Sequence, residues 1–344
     1  MKEDINKILI LRLSSLGDIT LTTPVIKAIK LRFPQAKVFF LTKSKYAPLL
    51  ANDPHLGGII EFNADEAGGL FETLRKIRSE KFDLVIDLHS NLRSFLLRNF
   101  SKAKLNLKYK KRWLNRFVMV YFKKIEVSPQ HTVDSYLDCL KQIGIHSSDR
   151  IPQLYVDEQS KKSIGGFLRN VLADETLIGV VPGAKWESKR WGEEKFAETV
   201  KMLNGKVKAK FVFIGGKEDE QLLENLKQLA GDIAFVQAVN LPFSQLLALI
   251  SSCSIVLTND SGPMHLAVAL KVPVVAIYGP THPKLGFAPL GSNDAVLCAE
   301  VECSPCSLHG ERKCYKKSKI CMEKITPEMA VDKAMVILRD EGKI

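Results

Sequence analysis

The feature that most restricts the fold is an alternation. Apolar runs of strand length take turns with helix-period segments: "KILILRL", "PVIKAIKLRF" and "AKVFFLT", then "FDLVIDLH" and "NLRSFLLRNF". That rhythm makes βαβ units, which set parallel strands in one sheet with helices on both faces. It stops at a polar, Pro-containing stretch, "GIHSSDRIPQLYVDEQSKKS", and restarts with "TLIGVVPGA", "EEKFAETVKML", "AKFVFIGG", "EQLLENLKQLA", "SIVLTND", "HLAVAL" and "VPVVAIYG". The expected fold is α/β: two Rossmann-like doubly wound parallel-sheet halves joined near residue 155. A ligand cleft is expected between them, because open parallel sheets bind ligands beyond the carboxyl ends of their strands. A length of 344 residues suits two domains. The closing "ITPEMAVDKAMVILRDEG" reads as an amphipathic helix, with Thr326 as N-cap and Pro327 at its first position.

Composition narrows the function. Hydrophobic residues at 46% and charged residues at 26% describe a folded, soluble chain. A formal charge of +12 favours anionic partners: phosphorylated sugars, nucleic acid or an anionic membrane face. No apolar run reaches the roughly 18 residues that span a bilayer. The start, "MKEDINKILILRLSSLGD", puts acids before a short apolar strand, unlike a secretory signal, so a cytoplasmic protein is expected. The seven cysteines are an odd number, and a reducing compartment argues against a disulfide framework.

Chemistry in such sheets gathers where strands end and helices begin, since helix N-termini present unpaired N–H groups and partial positive charge. At the first such junction, "LRLSSLGDITLTT" passes through Ser14, Ser15 and Gly17 to Asp18. One glycine stands where a dinucleotide fingerprint needs three, which disfavours an NAD enzyme. Asp18 has two readings, a helix N-cap and a general base. At the second, "VVPGAKWESKRWGEEKF" carries Lys185, Lys189 and Arg190 above a helix start, an arrangement suited to a pyrophosphate. The third, "FIGGKEDEQLL", opens a helix with Glu218, Asp219 and Glu220. These acids read as a solvated first turn or as acceptors for ribose hydroxyls. The fourth, "SIVLTNDSGPMHLAVAL", holds Asn259, Asp260, Ser261, Gly262 and His265. Ser261 is placed to cap, Gly262 and Pro263 let a phosphate approach, Asp260 points toward the cleft, and His265 shares a helix face with Ser261. Thr281 and His282 follow the next strand onto the same rim.

Taken in order, these four stretches resemble the bacterial lipopolysaccharide heptosyltransferases, glycosyltransferase family 9, across nearly the whole chain. The resemblance implies a GT-B fold. Residues 1–156 would form an acceptor-binding domain, 157–325 a nucleotide-sugar-binding domain and 326–344 a C-terminal helix. It implies an inverting, metal-independent enzyme that moves heptose from ADP-heptose to Kdo-lipid A or a heptosylated core. By position, Asp18 matches the base on the acceptor hydroxyl and Lys189 the lysine on the donor phosphates, with Lys185 beside it. Glu218 or Asp219 matches the acid on the ribose, and Asp260, Ser261, Gly262 and His265 match the segment contacting donor sugar and diphosphate. For the acceptor side Ser15, Gly17, Arg93, Lys111 and Arg112 are nominated. The last two lie in "KYKKRWLNRFVMVYFKK", a basic and aromatic stretch that suits an anionic lipid surface, with peripheral inner-membrane contact expected, or equally a core helix with a cationic face. Nucleic acid is not expected as the partner, although a basic surface for it would look alike.

Other readings keep the fold and change the sugar or acceptor, or drop turnover and leave a nucleotide-sugar-binding protein. No cofactor is required. In "ECSPCSLHGERKCYKKSKICM", Cys303, Cys306, Cys314 and Cys321 include one CxxC, a spacing suited to structural zinc. The second CxxC is missing, so free or buried thiols are the favoured expectation. Cys139, Cys253 and Cys298 read as core residues.

Overall fold

The computed structural model describes residues 5–63, 68–123, 130–168, 176–316 and 318–344. The chain divides into two compact units, Met1–Arg112 with Gln130–Tyr155, and Trp113–Pro129 with Val156–Ile344. The first contains a five-stranded sheet of β1 (Lys7–Leu11), β2 (Lys37–Lys43), β3 (Leu56–Phe62), β4 (Leu84–Asp87) and β5 (Leu105–Lys108). Their order is β3-β2-β1-β4-β5, and every pairing is parallel. The second contains β6 (Thr176–Val181), β7 (Ala209–Gly215), β8 (Phe235–Val239), β9 (Ile255–Asn259), β10 (Val274–Tyr278) and β11 (Ala295–Cys298). These run β11-β10-β9-β6-β7-β8, again all parallel. Both units therefore have the Rossmann strand order, and with two such sheets the chain has the GT-B fold.

Strand burial explains the unbroken apolar runs. β4, β9 and β10 are buried along their whole length, as strands covered by helices on both faces must be. In the second unit Phe211 and Phe213 of β7 pack with Trp191, Phe196, Leu223 and Leu226. The C-terminal helix Pro327–Asp340 adds Val331, Ala334 and Leu338 to the same core. Thr326 caps it, its hydroxyl accepting from the Met329 N–H. The smaller core of the first unit joins Leu9, Leu11, Leu41, Val85 and Leu97.

Strand order then decides where chemistry can collect. Each sheet reverses direction of growth beside its first strand, between β1 and β4 and between β6 and β9, and loops leaving the two strands part there. Leu11 lies opposite Asp87, and Val181 opposite Thr258. The segments that diverge at these points start at Arg12, Leu88, Pro182 and Asp260.

The basic and aromatic stretch has a definite place. Its helix, Trp113–Tyr121, belongs to the second unit, and its final residue, Lys124, lies outside the described residues. Met119 and Val120 are buried against Leu285. Arg116 Nε donates to the Leu285 carbonyl at 2.9 Å, and its guanidinium stands 4.5 Å from the Phe287 ring centre. Trp113, Leu114, Tyr121 and, just past the helix, Phe122 are exposed. No helix among the described residues is long and apolar enough to cross a membrane.

Candidate active site

In the first unit the carboxylate of Asp18 is the centre of the arrangement. It is not the N-cap of its helix, Leu16–Thr20. Ser15 holds that position and Asp18 is the third helical residue, because the helix begins at Leu16, three residues earlier than a cap at 18 would place it. Asp18 Oδ2 accepts from the Ser15 hydroxyl at 2.8 Å and its N–H at 3.3 Å, and pairs with Arg12 Nη2 at 2.9 Å. Arg12 is buried and committed on its other atoms, donating to the carbonyls of Ser14 and Leu88. Burial alone would weaken its charge, but Asp18, Tyr136 and Tyr109 outweigh it and hold the guanidinium above its ordinary value. A fixed cation thus keeps the carboxylate oriented, as a general base requires.

Across the switch point Asp87 ends β4 fully buried, accepting from the N–H groups of His89 and Ser90 and from the Ser94 hydroxyl. It shapes the turn that presents His89. Burial, then the positive charges of Arg12 and Lys111, push the His89 imidazole down to about 4. Among the described residues its buried Nδ1 has no hydrogen-bond partner. Arg12 and His89 are not singled out by the sequence; their one signal is position, the first residue after β1 and the second after β4. Ser15 is exposed and Gly17 buried beside Asp18, while Arg93, Lys111 and Arg112 are exposed. Arg112 bonds to Gln130 at 2.9 Å.

His89 yields a pH prediction. Its folded value lies below the ordinary 6.5, so the folded state binds fewer protons between the two values. The contribution is complete above about 6.5 and is lost as pH falls toward 4. We expect the thermal midpoint of His89→Gln to fall less steeply than that of wild type between pH 6.5 and 4; parallel curves would refute the assignment.

In the second unit Lys189 and Asp260 form the central pair. Lys189 Nζ lies 2.7 Å from Asp260 Oδ2, with side chains only 13% and 11% exposed. The Thr281 hydroxyl donates to the same oxygen at 2.6 Å. Asp260, expected to point toward the cleft, is held by Lys189 and Thr281. Asn259, fully buried, ties the loops together, donating to the Pro182 carbonyl at 2.7 Å and accepting from the Trp191 N–H at 3.1 Å. Ser261 occupies the N-cap of helix Gly262–Ala269, and His265 is buried within that helix. His282 caps the next short turn through Nδ1, accepting from Lys284 N–H.

Glu218 and Asp219, inseparable by alignment, separate by burial. Asp219 is buried, accepts from Gly216 N–H at 3.2 Å and pairs with Arg190 Nη2 at 3.0 Å. Burial lifts its carboxyl above the usual range, partly offset by Gly216 and Arg190. Glu218 is exposed. Lys185 is exposed as well, its ammonium 5.3 Å from the Trp186 ring centre. Gly310 sits over the stem of Lys189: an added Cβ would come within 2.4 Å of the lysine Cδ. Its carbonyl accepts from the Ser188 hydroxyl. Cys139 and Cys253 are buried with thiols pushed up to about 12, and Cys298 is half-buried, pushed up to about 11. Among the described residues no three His, Cys, Asp or Glu side chains stand ready to hold a metal ion.

Known proteins share this architecture. Residues 70–316 match the model of Glycosyltransferase family 9 (heptosyltransferase). Lipooligosaccharide heptosyltransferase 2 of Haemophilus influenzae is 27% identical, covering 96% of this chain and 99% of its own length. Lipopolysaccharide heptosyltransferase 2 of Salmonella typhimurium is also 27% identical, covering 98% and 99%. The crystal structure of a glycosyl transferase family 9 protein from Veillonella parvula superposes with a TM-score of 0.82 at 23% identity over 99% of both chains. The family model covers well over half of the sequence, and the chain belongs to glycosyltransferase family 9, the heptosyltransferases, and is a glycosyltransferase.

Proposed function

We propose that this enzyme moves a heptose from ADP-heptose to a sugar of the lipopolysaccharide inner core, with inversion and without a metal ion in the reaction. The observation that carries the reading is the Lys189–Asp260 pair beside the switch point of β6 and β9, in a member of family 9. A half-buried ammonium next to the N-terminus of helix Gly262–Ala269 is a site for a diphosphate. As ADP leaves, Lys189 and the first-turn amides meet its growing charge without having to reorganise. The exposed Glu218 takes the ribose hydroxyls, with Asp219 fixing the loop.

Asp18 supplies the other half. It takes the proton of the acceptor hydroxyl as that oxygen bonds to the anomeric carbon and the carbon–phosphate oxygen bond breaks. One displacement inverts the centre. Kdo-lipid A or a heptosylated core is the acceptor, and the relatives named above support that class. The exposed Trp113, Leu114 and Phe122, with nearby Lys110 and Lys111, support peripheral contact with the anionic membrane that carries such an acceptor.

The test is ADP release from ADP-heptose with and without Kdo-lipid A, in buffer free of added divalent cations. Acceptor-dependent release is expected. ADP binding without turnover on any core acceptor would instead favour another sugar or acceptor on the same fold.

A further inference from the structure

The turn that carries His89 is held more firmly than a link from strand to helix requires. Fully buried Asp87 accepts from the N–H groups of His89 at 2.9 Å and Ser90 at 2.8 Å through one oxygen, and from the Ser94 hydroxyl at 2.9 Å through the other. Ser90 stands at a φ of 52°. A residue with a Cβ takes that left-handed conformation at a cost and keeps it only where its surroundings impose it. The Ser90 hydroxyl donates to the Tyr109 carbonyl at 3.2 Å and anchors the turn a second time.

Arg12 ties this turn to Asp18. Its Nη1 donates at 2.6 Å to the carbonyl of Leu88, the residue before His89, and its Nη2 lies 2.9 Å from Asp18 Oδ2. One buried side chain of the first unit thereby sets the spacing between the His89 turn and the Asp18 carboxylate.

The imidazole is half-buried. Among the described residues its sealed Nδ1 has no partner, and none of them bonds to Nε2, the nitrogen that is not sealed. A buried N–H without an acceptor is costly, which leaves the proton of the neutral ring on Nε2. The charges around the ring keep it neutral: Arg12, Lys111 and Lys43 oppose a second proton, with Asp18 acting against them. Neutrality suits this place. A further cation beside Asp18 would stabilise its carboxylate and weaken it as a base, whereas a neutral N–H binds a sugar oxygen without that penalty.

We propose that His89 is an acceptor-positioning residue: its Nε2–H donates to an oxygen of the acceptor sugar and so holds the reacting hydroxyl at Asp18. The inference rests on the transferase reading above and adds to it the residue that orients the acceptor for the base.

The experiment compares His89→Gln, His89→Asn and His89→Leu with wild type in acceptor-dependent ADP release, with calorimetric titration of ADP on the same preparations. A glutamine amide reaches the place of Nε2, and an asparagine amide reaches only that of Nδ1. His89→Asn and His89→Leu should raise the KM for Kdo-lipid A about tenfold, the size of one hydrogen bond, with a smaller change in kcat. His89→Gln should stay within about threefold of wild type, and ADP affinity should hold within about twofold in all three. A merely structural role would not separate Gln from Asn. Equal acceptor KM values in those two variants, or an unchanged KM in His89→Leu, would overturn the assignment; if His89→Leu fails to fold, the contrast between Gln and Asn decides. Wild type that releases no ADP in response to any core acceptor would overturn the transferase reading and this inference with it, whereas release that is indifferent to His89 removes the inference alone.

Discussion

Replacing Asp18 by Asn is expected to lower acceptor-dependent turnover by about a thousandfold while leaving ADP affinity within about twofold of wild type. The size is that of a lost general base. The selectivity follows from architecture, because Asp18 belongs to the first unit and the proposed diphosphate site to the second. Asn keeps the side-chain volume and an acceptor for the Ser15 N–H, so the helix start survives. Its cost falls on Arg12, which loses an ionic partner while remaining buried. That lowers stability by about 1–3 kcal/mol and shows as a lower thermal midpoint. Steady-state rates and ADP calorimetry on one preparation separate the effects; equal losses of turnover and of ADP binding would mean that Asp18 only holds the fold.

Lys189→Met should give the opposite pattern. Met preserves the stem that packs under Gly310 and removes only the ammonium. A charge-assisted contact to phosphate is worth about 2 kcal/mol, which corresponds to roughly thirtyfold weaker ADP binding. Turnover should fall further, because the leaving diphosphate develops its charge beside a side chain that no longer answers it. The carboxylate of Asp260, left with Thr281 as its partner at 2.6 Å, adds repulsion. Calorimetric titration with ADP checks the first effect and saturating kinetics the second. Unchanged ADP affinity would reduce Lys189 to a structural partner of Asp260.

Much of this is legible in the sequence. The alternation of strand and helix periods carries the two parallel sheets, because strands covered on both faces must be apolar throughout. The four junctions were visible because polar residues interrupt that pattern just where strands end. What stayed hidden is pairing. Nothing in "LRLSSLGD" says that Arg12 folds back on Asp18, since the turn between them has no period. Nothing in "GKEDE" distinguishes the buried Asp219 from the exposed Glu218, because the pattern does not show that Arg190 arrives from another loop. Nor does "LTNDSG" show that Lys189 and Thr281 close on Asp260 from other loops. His89 was passed over because one histidine after a strand is unremarkable until the surrounding cations are in place.

The helix Trp113–Tyr121 carries one more consequence. It is encoded within the first half of the chain yet seals Leu285 of the second unit with Met119 and Val120. The donor-side unit is therefore not modular in the genetic sense. A fragment beginning at Val156 would be born with an open flank at Leu285, Phe287 and Leu308, and exchanging C-terminal halves between relatives would join a flank to a helix that did not evolve with it. Any hybrid enzyme meant to change the donor sugar must bring its own copy of this borrowed helix.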